Sequence, residues 1–110
     1  MVPIEWVNVF SCHVLLEVDP RKLMRVLDTE IWKPESLVSW YEKMQQGGKV
    51  DAPIVEKLSC RGFGFLSGIH RTAAAIQLGL PTIKIAVLPE EKEAIERLLN
   101  KESPESEGES

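Results

Sequence analysis

The sequence has no long hydrophobic run, few cysteines and no cluster of basic residues. No apolar stretch approaches the roughly 18 residues that a membrane span needs. The opening segment MVPIEWVNVF lacks the basic residues of a signal peptide and contains Glu5. These absences predict a cytoplasmic protein with no membrane partner. The 110 residues, 44% hydrophobic and 27% charged, predict a single globular domain.

The two cysteines, Cys12 and Cys60, do not form a metal-binding pattern. There is no C-x-x-C pair, and no histidine cluster lies near either residue. Cys12 precedes His13, but adjacent residues of a strand point to opposite faces, so the pair is not expected to form a site. We expect both cysteines to be buried thiols without a disulfide and assign neither as a metal ligand.

The shortage of positive charge gives no support to nucleic-acid binding. The net charge is −4, and most of it comes from the last ten residues, KESPESEGES, which hold one lysine and four glutamates. The rest of the chain is nearly neutral and shows no basic stripe of the kind that drives nucleic-acid binding. Because the last residues have nothing apolar to bury, we predict one domain over residues 1–100 and a disordered acidic tail over 101–110.

The first half of the chain predicts one or two strands followed by two helices. Residues 4–18 are rich in β-branched and aromatic residues, which predicts one or two strands. Asp19 can cap a short helix that begins at Pro20, and Pro34 begins a second helix that ends at a glycine pair. The second helix is expected to turn one apolar face towards the core: Leu37, Trp40, Tyr41 and Met44.

The second half predicts a hairpin, a helix, a strand and a last helix. The segments APIVEKL and FGFL are typical of paired strands. RTAAAIQL is expected to form a helix that ends at Gly79, and PTIKIAVL to form a strand. Pro89 opens the last helix, whose positive end is favoured by Glu90 and Glu91. The predicted fold class is therefore α/β, or α+β in stricter terms, with a small mixed sheet flanked by helices.

The turn SGIHR, between the FGFL strand and the Ala-rich helix, holds the candidate site residues. Gly68 has no Cβ, so an anion can approach the backbone where the helix start leaves N–H groups unpaired. Arg71 can direct two N–H groups at phosphate oxygens, and His70 can donate a hydrogen bond or a proton. Ser67 offers a hydroxyl as helix cap or ligand contact. The structural alternative is that Ser67 caps the helix, Gly68 makes the turn, and His70 and Arg71 are solvated or bridge to carboxylates.

The stretch SGIHRTAAAIQLG, preceded by a hairpin beginning PIV and followed by PTIKIAVL, resembles the ParB/sulfiredoxin-like superfamily, which includes ParB-like nuclease and free-serine-kinase type domains. The likeness covers roughly residues 12–88 and is strongest from Gly68 to Gly79. It implies the fold named above. It also implies that Ser67, Gly68, His70 and Arg71 hold the phosphates of a nucleotide (ATP, ADP or CTP), together with Mg²⁺.

The resemblance further implies phosphoryl transfer or nucleotide hydrolysis, with His70 and Glu30 as the catalytic candidates. Glu30 lies in the loop DTEIWKP, where a kinase relative keeps an acidic residue, and it is a candidate base or metal contact. The alternative for Glu30 is a solvated loop acid. Ile69 stands where sulfiredoxins carry their catalytic cysteine, so repair of oxidised peroxiredoxin is not expected. Ser67 stands where the kinase and many nucleases have aspartate.

Two other functions stay open from the sequence. One is a non-catalytic regulatory or DNA-associated module that works with a protein partner, and the other is a ParB-like nuclease. The oligomeric state is not indicated by the sequence.

Overall fold

The protein forms a mixed α/β fold of four helices and six strands in a computed structural model, which describes residues 3–27, 34–58 and 62–101. The helices are α1 Pro20–Leu27, α2 Pro34–Gln45, α3 Ile69–Gln77 and α4 Pro89–Lys101. The strands are β1 Ile4–Val7, β2 Val14–Val18, β3 Gly48–Asp51, β4 Ile54–Lys57, β5 Phe63–Ser67 and β6 Ile83–Val87. The predicted fold class is confirmed.

The larger sheet has four strands in the order β2-β6-β4-β5. The β2–β6 and β4–β5 pairs are antiparallel, and β4 runs parallel to β6, with Ile54 opposite Ala86. The predicted hairpin of APIVEKL with FGFL is therefore confirmed as β4 and β5. In this order β6 lies between β2 and β4. Side chains of residues next to β2 and β4 that lie beyond Val87, the last residue of β6, can therefore meet.

A second sheet consists of β1 and β3 alone, which pair in parallel. The strand β3 was not predicted, because its sequence GKVD has little β propensity and follows directly on the glycines that end α2. Its partner β1 lies more than 40 residues earlier in the chain. Pairing with that distant strand, which continues in the hydrogen bond from the Ala52 N–H to the Val7 carbonyl (2.8 Å), holds β3 in place.

Prolines and caps set the helix starts as predicted. α1, α2 and α4 begin at Pro20, Pro34 and Pro89, where the missing proline N–H leaves no helical bond unmade. Asp19 caps α1, because its Oδ1 accepts the N–H of Arg21 at 2.9 Å. No helix within residues 3–27, 34–58 and 62–101 is long and apolar enough to cross a membrane.

The hydrophobic core lies between the larger sheet and the helices, with α2 and α1 packed against α3 and α4 packed against α1. The predicted inward face of β6 is confirmed, since Ile83, Ile85 and Val87 are all buried. Met44 of α2 is buried, and its neighbours on the predicted apolar face pack against the same core: Leu37, Trp40 and Tyr41. The small side chains Ala74 and Ala75 let α3 approach the core closely.

Several predictions concern residues that the structure does not describe. Glu30, Cys60 and the acidic tail from residue 102 onward lie outside the described residues. They remain predictions from the sequence.

Candidate functional site

The helix α3 starts directly after β5 with a glycine as its N-cap. Gly68 adopts a left-handed conformation (φ 94°, ψ 13°) and provides no side-chain cap. The first helical bonds run from the Thr72 N–H and hydroxyl to the Gly68 carbonyl, both at 3.0 Å. The N–H groups of residues 69–71 precede these bonds and therefore have no acceptor within the helix. Ser67 is the last residue of β5 and is not the cap.

The space beside Gly68 is filled by Pro53. A Cβ at Gly68 would lie 2.6 Å from both Cα and Cβ of Pro53, which is among the fully buried residues. The sequence led us to expect that the missing Cβ leaves room for an anion. In the structure Pro53 already occupies the position that a Cβ would take. The glycine is required by its positive φ and by the close packing of the turn against Pro53.

The guanidinium of Arg71 is held by three neighbours. Its Nη1 donates to the Asp51 carbonyl at 2.7 Å, and its Nη2 donates to the Ser67 hydroxyl oxygen at 3.0 Å. Its central carbon lies 5.0 Å from the centre of the Trp40 ring, within cation–π range. Arg71 thus links α3 to the ends of β3 and β5 and to the face of α2.

Burial lowers the pKa of Arg71 below its usual value, and the Asp51 carboxylate raises it in part. The shift follows because removing a charged group from water disfavours its charged form. The nearest group that Arg71 contacts on Asp51 is the carbonyl and not the carboxylate. Within the described residues the guanidinium is therefore a partly desolvated cation without a directly bonded anion, and an added anion would compensate its lost hydration.

The first turn of α3 has the opposite charge from those of two other helices. Negative side chains are favoured at a helix start, where the helix dipole is positive. Accordingly, α2 has Glu35 there, and α4 has Glu90 and Glu91. The first turn of α3 holds no acidic residue and instead carries His70 and Arg71. The dipole and the Arg71 guanidinium add to one positive potential at this turn.

His70 contributes a second unsatisfied group to this turn. Its Nε2 is buried and has no hydrogen-bond partner among residues 3–27, 34–58 and 62–101. A buried polar atom without a partner costs stability. In the other histidine of the chain, His13, the Nε2 contacts a carboxylate oxygen of Glu56 at 2.6 Å.

We expect the two histidines to respond oppositely to removal of their polar atoms. His70→Phe should change the free energy of unfolding by between zero and an increase of about 1 kcal/mol, because it removes an unsatisfied buried nitrogen. The matched variant His13→Phe should lower it by about 1–3 kcal/mol, because it leaves Glu56 without its partner. Urea denaturation of both variants measures the difference. A comparable loss for His70→Phe would mean that its Nε2 is satisfied in solution.

Ser67, Gly68, His70 and Arg71 lie in the turn between β5 and the first turn of α3, and their role as a site stays a prediction; Glu30 lies outside the described residues. Two partners of Arg71, Trp40 of α2 and Asp51 of β3, were not foreseen, and neither was the contact of Gly68 with Pro53, because only the tertiary fold places these residues at the turn. For a metal, the described segments contain no group of three or more His, Cys, Asp or Glu side chains that could hold one. The donors of the turn fit an anion and do not by themselves fit Mg²⁺.

The expectation that Cys12 is buried is wrong. Cys12 is exposed, and its Sγ lies 3.8 Å from Nδ1 of His13. The two residues were expected to point apart as strand neighbours, but residues 10–12 form a turn before β2, closed by the His13 N–H donating to the Phe10 carbonyl at 3.1 Å. The turn brings the two adjacent side chains to the same side.

Comparison with known proteins gives one structural likeness. The fold is similar to the crystal structure of sulfiredoxin from Arabidopsis thaliana, with a TM-score of 0.47 and 24% sequence identity over 78% of this chain and 97% of that chain. No family model matches the sequence, and no curated protein matches it significantly. The likeness concerns the fold alone and says nothing about chemistry at the turn.

Proposed function

We propose that the turn from Ser67 to Arg71 binds the phosphate groups of a nucleotide. The observation that carries the proposal is the first turn of α3, where unpaired N–H groups and two basic side chains meet without any acidic residue. Such a helix start attracts anions through its dipole and its free donors. The nucleotide is the ligand class that the ParB/sulfiredoxin-like resemblance of this turn implies.

Arg71 supports the proposal because it is held in place before any ligand arrives. Its contacts with Asp51 and Ser67 use two of the five N–H donors of the guanidinium. The remaining donors can bind phosphate oxygens, and the cation–π contact with Trp40 further restrains the group. Less side-chain entropy is then lost when an anion binds.

Turnover is the second part of the proposal. His70 is the proposed group that exchanges a proton or a hydrogen bond with a phosphate bound at this helix start, which requires its buried, unsatisfied Nε2 to become accessible when the anion binds. Mg²⁺ would enter with the nucleotide phosphates, since the described residues of the turn supply no carboxylate for it. Glu30 remains the proposed base or metal contact for phosphoryl transfer or hydrolysis.

A thermal-shift series tests binding directly. ATP, ADP, CTP, GTP and inorganic pyrophosphate are each added with and without Mg²⁺. A ligand present at 100-fold its dissociation constant should stabilise the fold by about 2.7 kcal/mol. Calorimetry then gives the affinity of the best ligand, and release of phosphate measures turnover. If no nucleotide binds at millimolar concentration with Mg²⁺, the proposal is wrong.

A further inference from the structure

A second set of reactive side chains lies away from the phosphate-binding turn. Cys12, His13 and Glu56 form a row in which the imidazole stands between the thiol and the carboxylate. The Cys12 Sγ lies 3.8 Å from Nδ1 of His13, and Nε2 of His13 lies 2.6 Å from Oε2 of Glu56. A nucleophile beside a base that a third group orients is the arrangement that activates thiols in proteins.

The sheet order explains how residues 43 positions apart meet. His13 directly precedes β2, whose first residue Val14 pairs with Val87 at the end of β6. Glu56 lies two residues beyond Ile54, which pairs with Ala86 on the other side of β6. Both side chains therefore extend past the last residue of β6 and meet across its end. The contact follows from the topology of the larger sheet.

The imidazole is rigidly placed, while the thiol is open to solvent. The side chain of His13 is 4% exposed, and that of Glu56 is 23% exposed. The Asn8 side-chain amide donates to the His13 carbonyl at 2.7 Å, and the Phe10 ring contacts the imidazole edge-on. Cys12 by contrast is exposed, so a molecule in solution can reach its sulfur.

The Glu56 carboxylate determines which nitrogen of the His13 ring carries the proton and which one has a free lone pair. An ionised glutamate can only accept hydrogen bonds, so the Nε2 of His13 that contacts Glu56 must carry a proton. In the neutral imidazole the other nitrogen, Nδ1, is then an acceptor, and it is the ring nitrogen that lies 3.8 Å from the Cys12 sulfur. Glu56 thus fixes the tautomer in which His13 can take the thiol proton.

These contacts do not indicate a metal site. The thiol and the carboxylate meet opposite nitrogens of the ring, so the three side chains do not converge on one point. The absence of a metal-holding group among the described residues agrees with this geometry.

We propose that Cys12 is a nucleophile that forms a mixed disulfide with the disulfide of a low-molecular-weight thiol, with His13 as base and Glu56 as positioning residue. The Nδ1 of His13 accepts the proton of Cys12, and the sulfur attacks one sulfur of the small disulfide. A new S–S bond forms as the old one breaks, and the leaving thiolate takes up the proton. Cys12 is oxidised and the released thiol is reduced, so the exchange needs no other oxidant.

The rate of exchange tests the proposal. All proteins carry Cys60→Ser, so that Cys12 is the remaining cysteine, and the probe is the chromogenic disulfide 5,5′-dithiobis(2-nitrobenzoate) at neutral pH. Glu56→Gln should slow the second-order reaction at least ~10-fold, and His13→Gln by as much or more, since a base that accepts the reacting proton is lost or misplaced. The control Glu17→Gln removes the same charge from β2, where Glu17 accepts the Thr82 hydroxyl and does not touch His13. It should react like the parent protein.

Two further measurements separate chemistry from structure. The ¹⁵N shifts of the His13 ring should show a proton on Nε2 in the parent protein and a mixed tautomer in Glu56→Gln, because an amide can also donate. Intact mass after incubation with oxidised glutathione should show one glutathione on Cys12, removed by dithiothreitol. Equal rates in Glu56→Gln and Glu17→Gln, an unchanged tautomer, or no glutathione adduct would each overturn the proposal. None of these residues belongs to the phosphate-binding turn, so the outcome is independent of nucleotide binding.

Discussion

Replacing Gly68 with alanine is expected to destabilise the fold by about 2–5 kcal/mol. Two costs add. The left-handed backbone at φ 94° costs a residue with a side chain about 1–2 kcal/mol. The new methyl group would also lie 2.6 Å from the Pro53 backbone, and such overpacking costs about 1–3 kcal/mol. Urea denaturation of the two proteins measures the difference in the free energy of unfolding.

The chain offers a matched control for this variant. Gly48 has the same φ of 94°, but a Cβ there would meet no atom within 4 Å. Gly48→Ala should therefore cost only the backbone term of about 1–2 kcal/mol. The difference between the variants isolates the contact with Pro53. Equal losses would mean that the turn shifts away from Pro53 at no cost.

Replacing Arg71 with alanine is expected to weaken nucleotide binding by roughly 10- to 150-fold. That range corresponds to about 1.5–3 kcal/mol, the net contribution of hydrogen bonds to a charged group. If Arg71 were solvated, as the structural alternative from the sequence has it, alanine would leave folding intact. The contacts with Asp51, Ser67 and Trp40 change that expectation. We now expect Arg71→Ala also to lower the free energy of unfolding, by about 1–2 kcal/mol.

Two variants separate the effect of Arg71 on affinity from its effect on stability. Arg21→Ala removes an arginine from the first turn of α1, where it bonds to the Leu80 carbonyl at 3.3 Å, just past the C-terminal end of α3. The nucleotide affinity of this variant should stay within about 2-fold of the wild-type value, because salt screens an exposed charge that does not touch the ligand. Arg71→Lys should restore only part of the affinity, because an ammonium cannot form the planar fork. Calorimetry at a temperature where all variants are folded gives the comparison.

The two proposed roles of Arg71 make different predictions for these measurements. If Arg71 only joins elements of the fold, Arg71→Ala lowers the melting temperature while the nucleotide affinity stays at the wild-type value. If it also contacts phosphate, affinity falls even when the folded fraction is complete. If the wild-type protein binds nucleotide and the Arg71→Ala protein binds it equally well, Arg71 is not part of the nucleotide site.

Local signals in the sequence were sufficient for most elements of the fold. Pro20, Pro34 and Pro89 mark helix starts because a proline without N–H is tolerated there, and the structure begins α1, α2 and α4 at these residues. The buried face of β6 was readable because Ile83, Ile85 and Val87 alternate in the sequence and share one face; that Ala86 on the other face is buried too was not. These patterns depend only on residues that are close together in the chain, so they can be recognised in a single sequence.

Features that depend on distant contacts could not be predicted in this way. β3 exists because β1 pairs with it, and its own four residues give no strand signal. The partners of Arg71 and the contact of His13 with Glu56 depend on strand order, which local patterns do not fix. At Cys12 the error came from assuming a continuous strand over a segment that contains a turn.

The small parallel sheet of β1 and β3 connects the beginning of the chain to the candidate phosphate site. Asp51, whose carbonyl accepts the Arg71 guanidinium, is the last residue of β3 and stands opposite Val7 of β1. A two-stranded sheet is only marginally stable by itself. The free energy needed to separate β1 from β3 therefore depends on the contacts that residues at the ends of these strands make with the rest of the protein. An anion that holds Arg71 in place would therefore slow local opening of β1 and β3. By linkage, a chain whose first strand is detached would bind the anion less tightly.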